Sequence, residues 1–206
     1  MRRPSLLIIA GVAWAVIIGL GLVKLYDYEV TPGKADDIAT HWPDKSKINR
    51  DEKKYQLVMV VHPHCPCTRA TLAELELIMT QAEDKLTAHI LFSKPKEVSP
   101  KWVETDLFRN AQKIPNVHVY IDEDDQEARL FGGHTSGQIF LYDAKGTLLF
   151  SGGITATRGH IGDNIGQSTI VAIVHDQKVQ LRRTPFFGCL LEDHDSSKIT
   201  KAGEKQ

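Results

Sequence analysis

The chain has 206 residues, of which 42% are apolar, and its 25 basic side chains nearly cancel its 26 acidic ones. This length suits one globular domain of ~100–200 residues and a short extra segment. The lack of a basic stripe argues against nucleic acid as a partner. The odd count of three cysteines excludes a framework in which every cysteine is paired within the chain.

An uncharged apolar run over residues 6–23 opens the chain. It is long enough to cross the ~30 Å hydrocarbon core of a membrane as a helix. Arg2 and Arg3 precede it, and the basic end of such a helix stays in the cytoplasm. A cleaved signal peptide is the alternative, but its apolar core spans only ~7–15 residues before a small-residue cleavage site. We therefore expect a retained single-pass anchor over residues 1–24.

In a bacterial host, this orientation puts the anchor in the inner membrane and the rest of the chain in the periplasm, where disulfides persist. Residues 25–54 are polar and are predicted to form a tether whose Trp42 packs onto the domain. Residues 55–192 are predicted to form that domain. The polar residues 193–206 are predicted to be a disordered tail.

The domain begins with a valine-rich run over residues 56–61, which is typical of a strand buried on both faces. Thr68–Ala82 follows with apolar residues at helical spacing and with Glu74 and Glu76 between them. The later elements are predicted as strands at 89–92 and 117–121, helices at 102–112 and 126–131, a hairpin of 138–142 with 147–151, and a helix at 162–174. Strands that alternate with helices predict an α/β fold, here a mixed sheet covered by helices.

The segment HPHCPCTR lies between the first strand and the first helix of the domain. Reactive groups in α/β sheets collect at the carboxyl ends of strands, and a helix N-terminus there offers free N–H groups. These features favour a thiolate over a thiol. We expect Cys65 at the N-cap, Pro66 at the first helical position and Cys67 in the first turn. His64 would tune the thiolate, and Arg69 would add positive charge.

Two other interpretations of this segment stay open. His62, His64, Cys65 and Cys67 form a candidate metal site, since thiolates with imidazoles suit Cu(I) or Zn. Alternatively, Cys65 and Cys67 are inert thiols on a binding module.

Several segments together resemble the thioredoxin superfamily. They are the strand VMVV, the Cys-Pro-Cys junction, the helix TLAELELIM and the hairpin GQIFLYDAKGTLLFSGG. More narrowly, HPHCPCTRA, FGGHTSGQIFLYD, GGITATRGHIGDN and TPFFGC resemble the RedB-like branch. The resemblance implies a thioredoxin fold and thiol–disulfide exchange with a protein partner. Such exchange needs no organic cofactor.

The chain departs from the thioredoxin pattern at two places. Thioredoxins carry Cys-x-x-Cys. If Cys67 matches the second cysteine of that motif, His64 stands where the first would be, and either Cys65 or Cys67 is the nucleophile. Thioredoxins also place a cis-proline before the hairpin, and here the stretch reads His134-Thr135-Ser136-Gly137. In its place, Thr135 or Ser136 is predicted to offer a hydroxyl to a thiolate or to a bound anion.

The pairing of the cysteines is open at this point. A Cys65–Cys67 disulfide would be strained and easily reduced. Alternatively, one of the two pairs with Cys189 as a resolving cysteine, although an isolated buried cysteine is the favoured interpretation of Cys189. The glycine-rich residues 152–160, which include Arg158, either bind an anion and shape the site mouth or simply form a turn.

Overall fold

A computed structural model of the protein describes residues 3–33 and 37–191. The chain divides into two compact units, one up to Thr31 and one from Pro32 onward. The first unit is helix α1, Arg3–Val30, whose 28 residues are long and apolar enough to cross a membrane. The helix continues past the predicted end of the anchor at residue 24 and stops shortly before Pro32, because proline disfavours helical backbone in the residue before it.

The second unit is built on one mixed sheet. Within the described residues, its five strands are β1 (Tyr55–Val61), β2 (Leu86–Lys94), β3 (Val117–Glu123), β4 (Gln138–Tyr142) and β5 (Leu148–Gly152). They lie in the order β3-β2-β1-β4-β5. The pairs β1–β2 and β2–β3 are parallel, and the pairs β1–β4 and β4–β5 are antiparallel. The predicted mixed α/β sheet is confirmed.

Four α-helices of this unit lie in the described residues: α2 (Cys67–Ala82), α3 (Asp106–Ala111), α4 (Gln126–Phe131) and α5 (Ile165–Val174). Helix α3 is shorter than the predicted span of 102–112, because the Thr105 side chain caps it by accepting from the Phe108 N–H. Helix α5 likewise starts late, since the Asn164 side chain accepts from the Gln167 N–H.

Strand β1 is buried on both faces, and its side chains alternate between two apolar clusters. Leu57, Met59 and Val61 pack in the larger cluster with residues of α2, α3 and α5. Val58 and Val60 pack on the opposite face with residues of α4. This double burial explains why β1 is a continuous apolar run.

Most of the predicted tether is packed against the sheet. His41 forms an isolated bridge with Thr147, and the Tyr142 hydroxyl donates to the Ala39 carbonyl at 2.9 Å. The Trp42 ring meets Phe131 edge-on with ring centroids 5.0 Å apart. Residues 37–54 therefore belong to the domain, and the predicted disordered tail lies outside the described residues.

Candidate active site at the strand-to-helix junction

The loop between β1 and α2 is a tight turn that places Cys65 directly before the helix. The Cys65 N–H donates to the His62 carbonyl at 3.1 Å, and the Thr68 N–H donates to the Cys65 carbonyl at 3.1 Å. Pro66 occupies the N-cap and Cys67 is the first helical residue. The helix therefore starts one residue later than predicted, with Pro66 instead of Cys65 at the N-cap. The Pro66 side chain makes no capping hydrogen bond.

All three cysteines of the chain are free thiols and lie together at this junction. Cys65 is 1% exposed and Cys67 is 8% exposed, whereas Cys189 is only partly buried. The Cys189 thiol hydrogen-bonds to the Cys65 sulfur. The interpretation of Cys189 as an isolated buried cysteine is therefore wrong.

The surroundings of Cys65 favour its thiolate. The Cys189 thiol holds the pKa of Cys65 well below its ordinary value, and the burial of Cys65 only partly opposes this. The backbones of Cys189 and Cys67 and the Ser136 hydroxyl lower the pKa further. Hydrogen bonds to an ionised acceptor are stronger than neutral ones, so these donors stabilise the anion.

The other two thiols keep their protons. Burial, followed by the nearby Cys65 charge, raises the pKa of Cys67. The hydrogen bond to Cys65, followed by burial, raises the pKa of Cys189. These opposite pKa shifts mean that the three thiols carry one negative charge between them. The charge lies on Cys65, because the hydrogen-bond donors of Cys189, Cys67 and Ser136 converge on its sulfur.

Ser136 is the hydroxyl that reaches Cys65. It is buried, accepts from the His62 N–H at 3.0 Å and lies 2.9 Å from the Thr68 hydroxyl. The Thr68 hydroxyl donates to the His62 carbonyl at 3.2 Å, and the Ser136 hydroxyl hydrogen-bonds to Cys65 and lowers its pKa. The Thr135 hydroxyl is also buried, but it has no hydrogen-bond partner within the described residues.

The cation beside the thiols is Arg158, on the glycine-rich loop after β5. Its guanidinium donates to the Gly188 carbonyl and hydrogen-bonds to Cys67, and its charge lowers the pKa of both Cys67 and Cys189. The predicted cation, Arg69, is instead exposed and pairs with Asp106 at 2.5 Å. Arg69 follows the site in sequence, but its side chain leaves the helix on the solvent side.

The two histidines of the junction lie against Trp102. The His64 Nε2 atom is 2.9 Å from the Trp102 carbonyl oxygen, and the His64 ring centroid is 4.6 Å from the Trp102 ring. The His62 ring meets the same tryptophan at 5.4 Å. Among the described residues, no three His, Cys, Asp or Glu side chains are grouped so that they could hold a metal ion. The alternative ligand set of His62, His64, Cys65 and Cys67 is therefore not assembled.

The stretch in place of the expected cis-proline is paired with the chain's own C-terminal segment. The Ser136 N–H donates to the Cys189 carbonyl at 2.8 Å, and the Leu191 N–H donates to the His134 carbonyl at 3.0 Å. Gly188 passes so close that a Cβ there would stand 1.8 Å from the Ser136 carbonyl oxygen. Only glycine allows this close approach of the two backbones. Gly188 is therefore the one residue in the sequence that indicates the pairing of this segment with Ser136.

No protein-family model and no curated protein matches the sequence. The fold is similar to that of a hypothetical protein from Sinorhizobium meliloti, with 17% identity, a TM-score of 0.57, and coverage of 77% of this chain and 96% of that one. An uncharacterized conserved protein from Geobacillus kaustophilus is similar at 15% identity and a TM-score of 0.56, with coverage of 80% and 93%. A weaker similarity, with a TM-score of 0.42 and 15% identity over 61% of this chain and 87% of the other, is to the exposed lipoprotein thioredoxin Etrx1 from Streptococcus pneumoniae.

The order of elements agrees with the fold that the resemblance implies. A parallel β1-α2-β2 unit is followed by the antiparallel hairpin β4–β5 and by α5, and the cysteines stand where β1 passes into α2. The described residues of the second unit therefore have a thioredoxin-like fold.

Proposed function

We propose that this chain is a membrane-anchored thiol–disulfide oxidoreductase of the extracytoplasmic space, with Cys65 of the Cys-Pro-Cys segment as the attacking thiol. One observation carries the proposal: donors from Cys189, Ser136 and Cys67 converge on the Cys65 sulfur directly before α2. Because the thiolate is the nucleophile in disulfide exchange, stabilising it at one sulfur selects that sulfur for attack.

The reaction has two exchanges. The Cys65 thiolate attacks one sulfur of a partner disulfide, and the second partner sulfur leaves as a thiolate. Another cysteine of this chain then attacks the Cys65 sulfur, which releases the partner and leaves an internal disulfide. Both exchanges are reversible, so the same groups reduce or oxidise a partner according to the relative reduction potentials.

Helix α1 supports the membrane-anchored part of the proposal. It is long and apolar enough to span a bilayer, and the basic residues at its start favour a cytoplasmic N-terminus. The thiol cluster then faces a compartment in which protein disulfides form and persist.

Exchange of the full chain with glutathione disulfide, in detergent micelles, tests the reaction. We expect the wild type to release glutathione and Cys65→Ser to react about 100-fold more slowly or not at all, because the stabilised thiolate is gone. Cys67→Ser is the matched control, since it removes a neighbouring thiol and retains Cys65. A Cys65→Ser variant that reacts as fast as the wild type would overturn the proposal.

The orientation is tested with a thiol reagent that does not cross membranes. The variant Leu190→Cys, in a background with Cys65→Ser and Cys189→Ser, is expressed in a bacterium and carries a thiol at a position that is 58% exposed. We expect the reagent to label this introduced thiol in spheroplasts and not in inverted membrane vesicles. Labelling in inverted vesicles alone would place the domain in the cytoplasm.

A further inference from the structure

We propose that residues 188–191 form a built-in strand that covers Cys65 and that Cys189 on this strand, rather than Cys67, resolves the mixed disulfide. The redox-active disulfide is then Cys65–Cys189. This inference rests on the proposed role of Cys65 as the attacking thiol.

The segment is docked at the site as an added strand. Thr135 and Leu190 form an antiparallel bridge, and backbone hydrogen bonds join Ser136 to Cys189 and Leu191 to His134. Arg158 holds the segment from the other side by donating to the Gly188 carbonyl. Backbone pairing of this kind fixes the register of a strand, as it does when a peptide adds to a sheet edge.

The register turns Cys189 toward the site. Leu190 is 58% exposed and Leu191 is 1% exposed, so successive side chains alternate between solvent and the interior. Cys189 lies on the inner side, where its thiol hydrogen-bonds to the Cys65 sulfur. The buried Phe186 and Phe187 hold the segment at the end preceding the strand.

Cys67 is less suited to bridge to Cys65. Pro66 has helical backbone angles, φ −62° and ψ −28°, and Cys67 starts α2. The Cys67 thiol also hydrogen-bonds to Cys65, but a disulfide between cysteines two residues apart is strained, because the Cα spacing and torsions of a disulfide are narrowly fixed. Cys189 comes from a separate segment and carries no such constraint.

The docked strand also controls access to Cys65, which is 1% exposed. A partner disulfide reaches Cys65 only when residues 188–191 lift, and a segment held by a few backbone bonds opens at low cost. The same movement in reverse returns Cys189 to the mixed disulfide. The movement of residues 188–191 thus controls both the access of the partner to Cys65 and the attack of Cys189 on the mixed disulfide.

The chemistry balances with the partner disulfide, R–S–S–R′, as the oxidant. The Cys65 thiolate attacks it to form Cys65–S–S–R and releases R′–S⁻. When the strand redocks, the Cys189 sulfur attacks Cys65, its proton passes to the departing sulfur, and R–SH leaves. Two electrons pass from the two cysteines of this chain to the partner disulfide.

Peptide mapping of the full chain in detergent identifies the disulfide. The protein is oxidised with glutathione disulfide, alkylated and digested with trypsin. Cys65 and Cys67 share peptide 55–69, whereas Cys189 lies in peptide 184–198. We expect these two peptides to be cross-linked in the wild type and in Cys67→Ser, and not in Cys65→Ser. An internal Cys65–Cys67 disulfide within peptide 55–69 as the main wild-type product would overturn the inference.

A second measurement follows glutathione release from Cys65. Because a docked thiol acts at high effective concentration, Cys189→Ser should retain the Cys65–glutathione adduct and slow its release on the order of tenfold or more. The control pairs Cys189→Ser with Leu190→Cys, which keeps a thiol on the segment but turns it to solvent. Release as fast as the wild type in either variant would contradict the role of Cys189.

The two proposals fail differently. If no variant forms a glutathione adduct at Cys65, the proposed function fails. If the adduct forms and Cys67 resolves it, the proposed function stands and only the role of Cys189 is lost.

Discussion

The Cys65 sulfur receives hydrogen bonds from donors that come from three parts of the chain. The backbone of Cys67 follows it directly, Ser136 lies in the loop before β4, and Cys189 lies after α5. A helix N-terminus alone offers only part of this stabilisation. The added donors explain why the anion belongs to Cys65 and not to Cys67, although both stand at the same junction.

Replacing Ser136 by alanine removes one donor to the thiolate. We expect the pKa of Cys65 to rise by about one unit, because a hydrogen bond to the charged form is lost. The measurement is the pH dependence of iodoacetamide alkylation in the Cys67→Ser background, where peptide 55–69 holds a single thiol. The midpoint should move to higher pH. Ser93→Ala is the control, since its buried hydroxyl has no partner within the described residues; equal shifts in both variants would contradict the assignment.

Arg158 and Arg69 form a second contrast. Arg158→Met should raise the pKa of Cys189, whose value the Arg158 charge lowers, and should slow disulfide formation about tenfold. Arg158→Lys keeps the charge and should retain most of the rate. Arg69→Met removes an exposed cation that pairs with Asp106, so no effect is expected. Stopped-flow rates across pH separate the outcomes, and a loss of rate with Arg69→Met alone would support the original expectation for Arg69.

At the scale of elements, α2 also anchors the glycine-rich loop through a buried carboxylate. Glu74, which lies between the apolar positions of the helix, is fully buried. Its carboxyl group accepts from the Gly162 N–H at 2.7 Å and from the Asn164 side chain at 3.3 Å. Helix α2 therefore fixes the end of the glycine-rich loop that carries Arg158, as well as the start of α5.

Glu74→Ala should lower the free energy of unfolding by about 2 kcal/mol, because it removes the two hydrogen bonds that Gly162 and Asn164 donate to a buried carboxylate. It should also slow disulfide formation by loosening the Arg158 loop. Urea unfolding of the full chain in detergent, followed by tryptophan fluorescence, measures the first effect. The control is Glu76→Ala, an exposed position of the same helix, for which a change within about 0.5 kcal/mol is expected. Equal losses in both variants would show that Glu74 has no special role.

At the scale of the whole molecule, the domain's stability depends on a polar group buried between strands and the packed N-terminal segment. His89 on β2 is 1% exposed, and its Nε2 atom lies 2.9 Å from the Gln56 side-chain oxygen. The Trp42 ring meets the His89 ring edge-on, and the His118 ring stacks on it. Burial, followed by the His118 charge, lowers the pKa of His89 to about 4.

This pKa gives the stability a defined pH dependence. Unfolded His89 takes up a proton as pH falls below its ordinary value of 6.5, whereas the folded group stays neutral down to about 4. The contribution of His89 to the free energy of unfolding is therefore fully present above pH 6.5. It is lost as the pH falls toward 4, which lowers the free energy of unfolding by on the order of 2 kcal/mol from pH 7 to pH 4.5. His89→Gln should remove this component of the decline, and the exposed His41→Gln should not. Urea midpoints at several pH values decide between these outcomes.

The sequence alone was enough to predict the strands and helices, their order and the placement of Cys65 and Cys67 where β1 meets α2. These features follow from local signals: apolar periodicity, a glycine such as Gly132 that ends α4 with φ 79°, and the apolar run of α1. The observed bounds differ from the predicted ones by a few residues, for example where the Thr105 side chain caps α3.

The tertiary structure alone decided which groups meet the reactive sulfur. The cation beside the thiols is Arg158 and not Arg69, and the hydroxyl that hydrogen-bonds to Cys65 is that of Ser136 and not that of Thr135. Cys189, from the far end of the domain, also contacts Cys65. Such contacts depend on how separate segments pair across the sheet edge. Apart from Gly188, no local pattern indicates that pairing, because its hydrogen bonds are made by backbone groups that every residue shares.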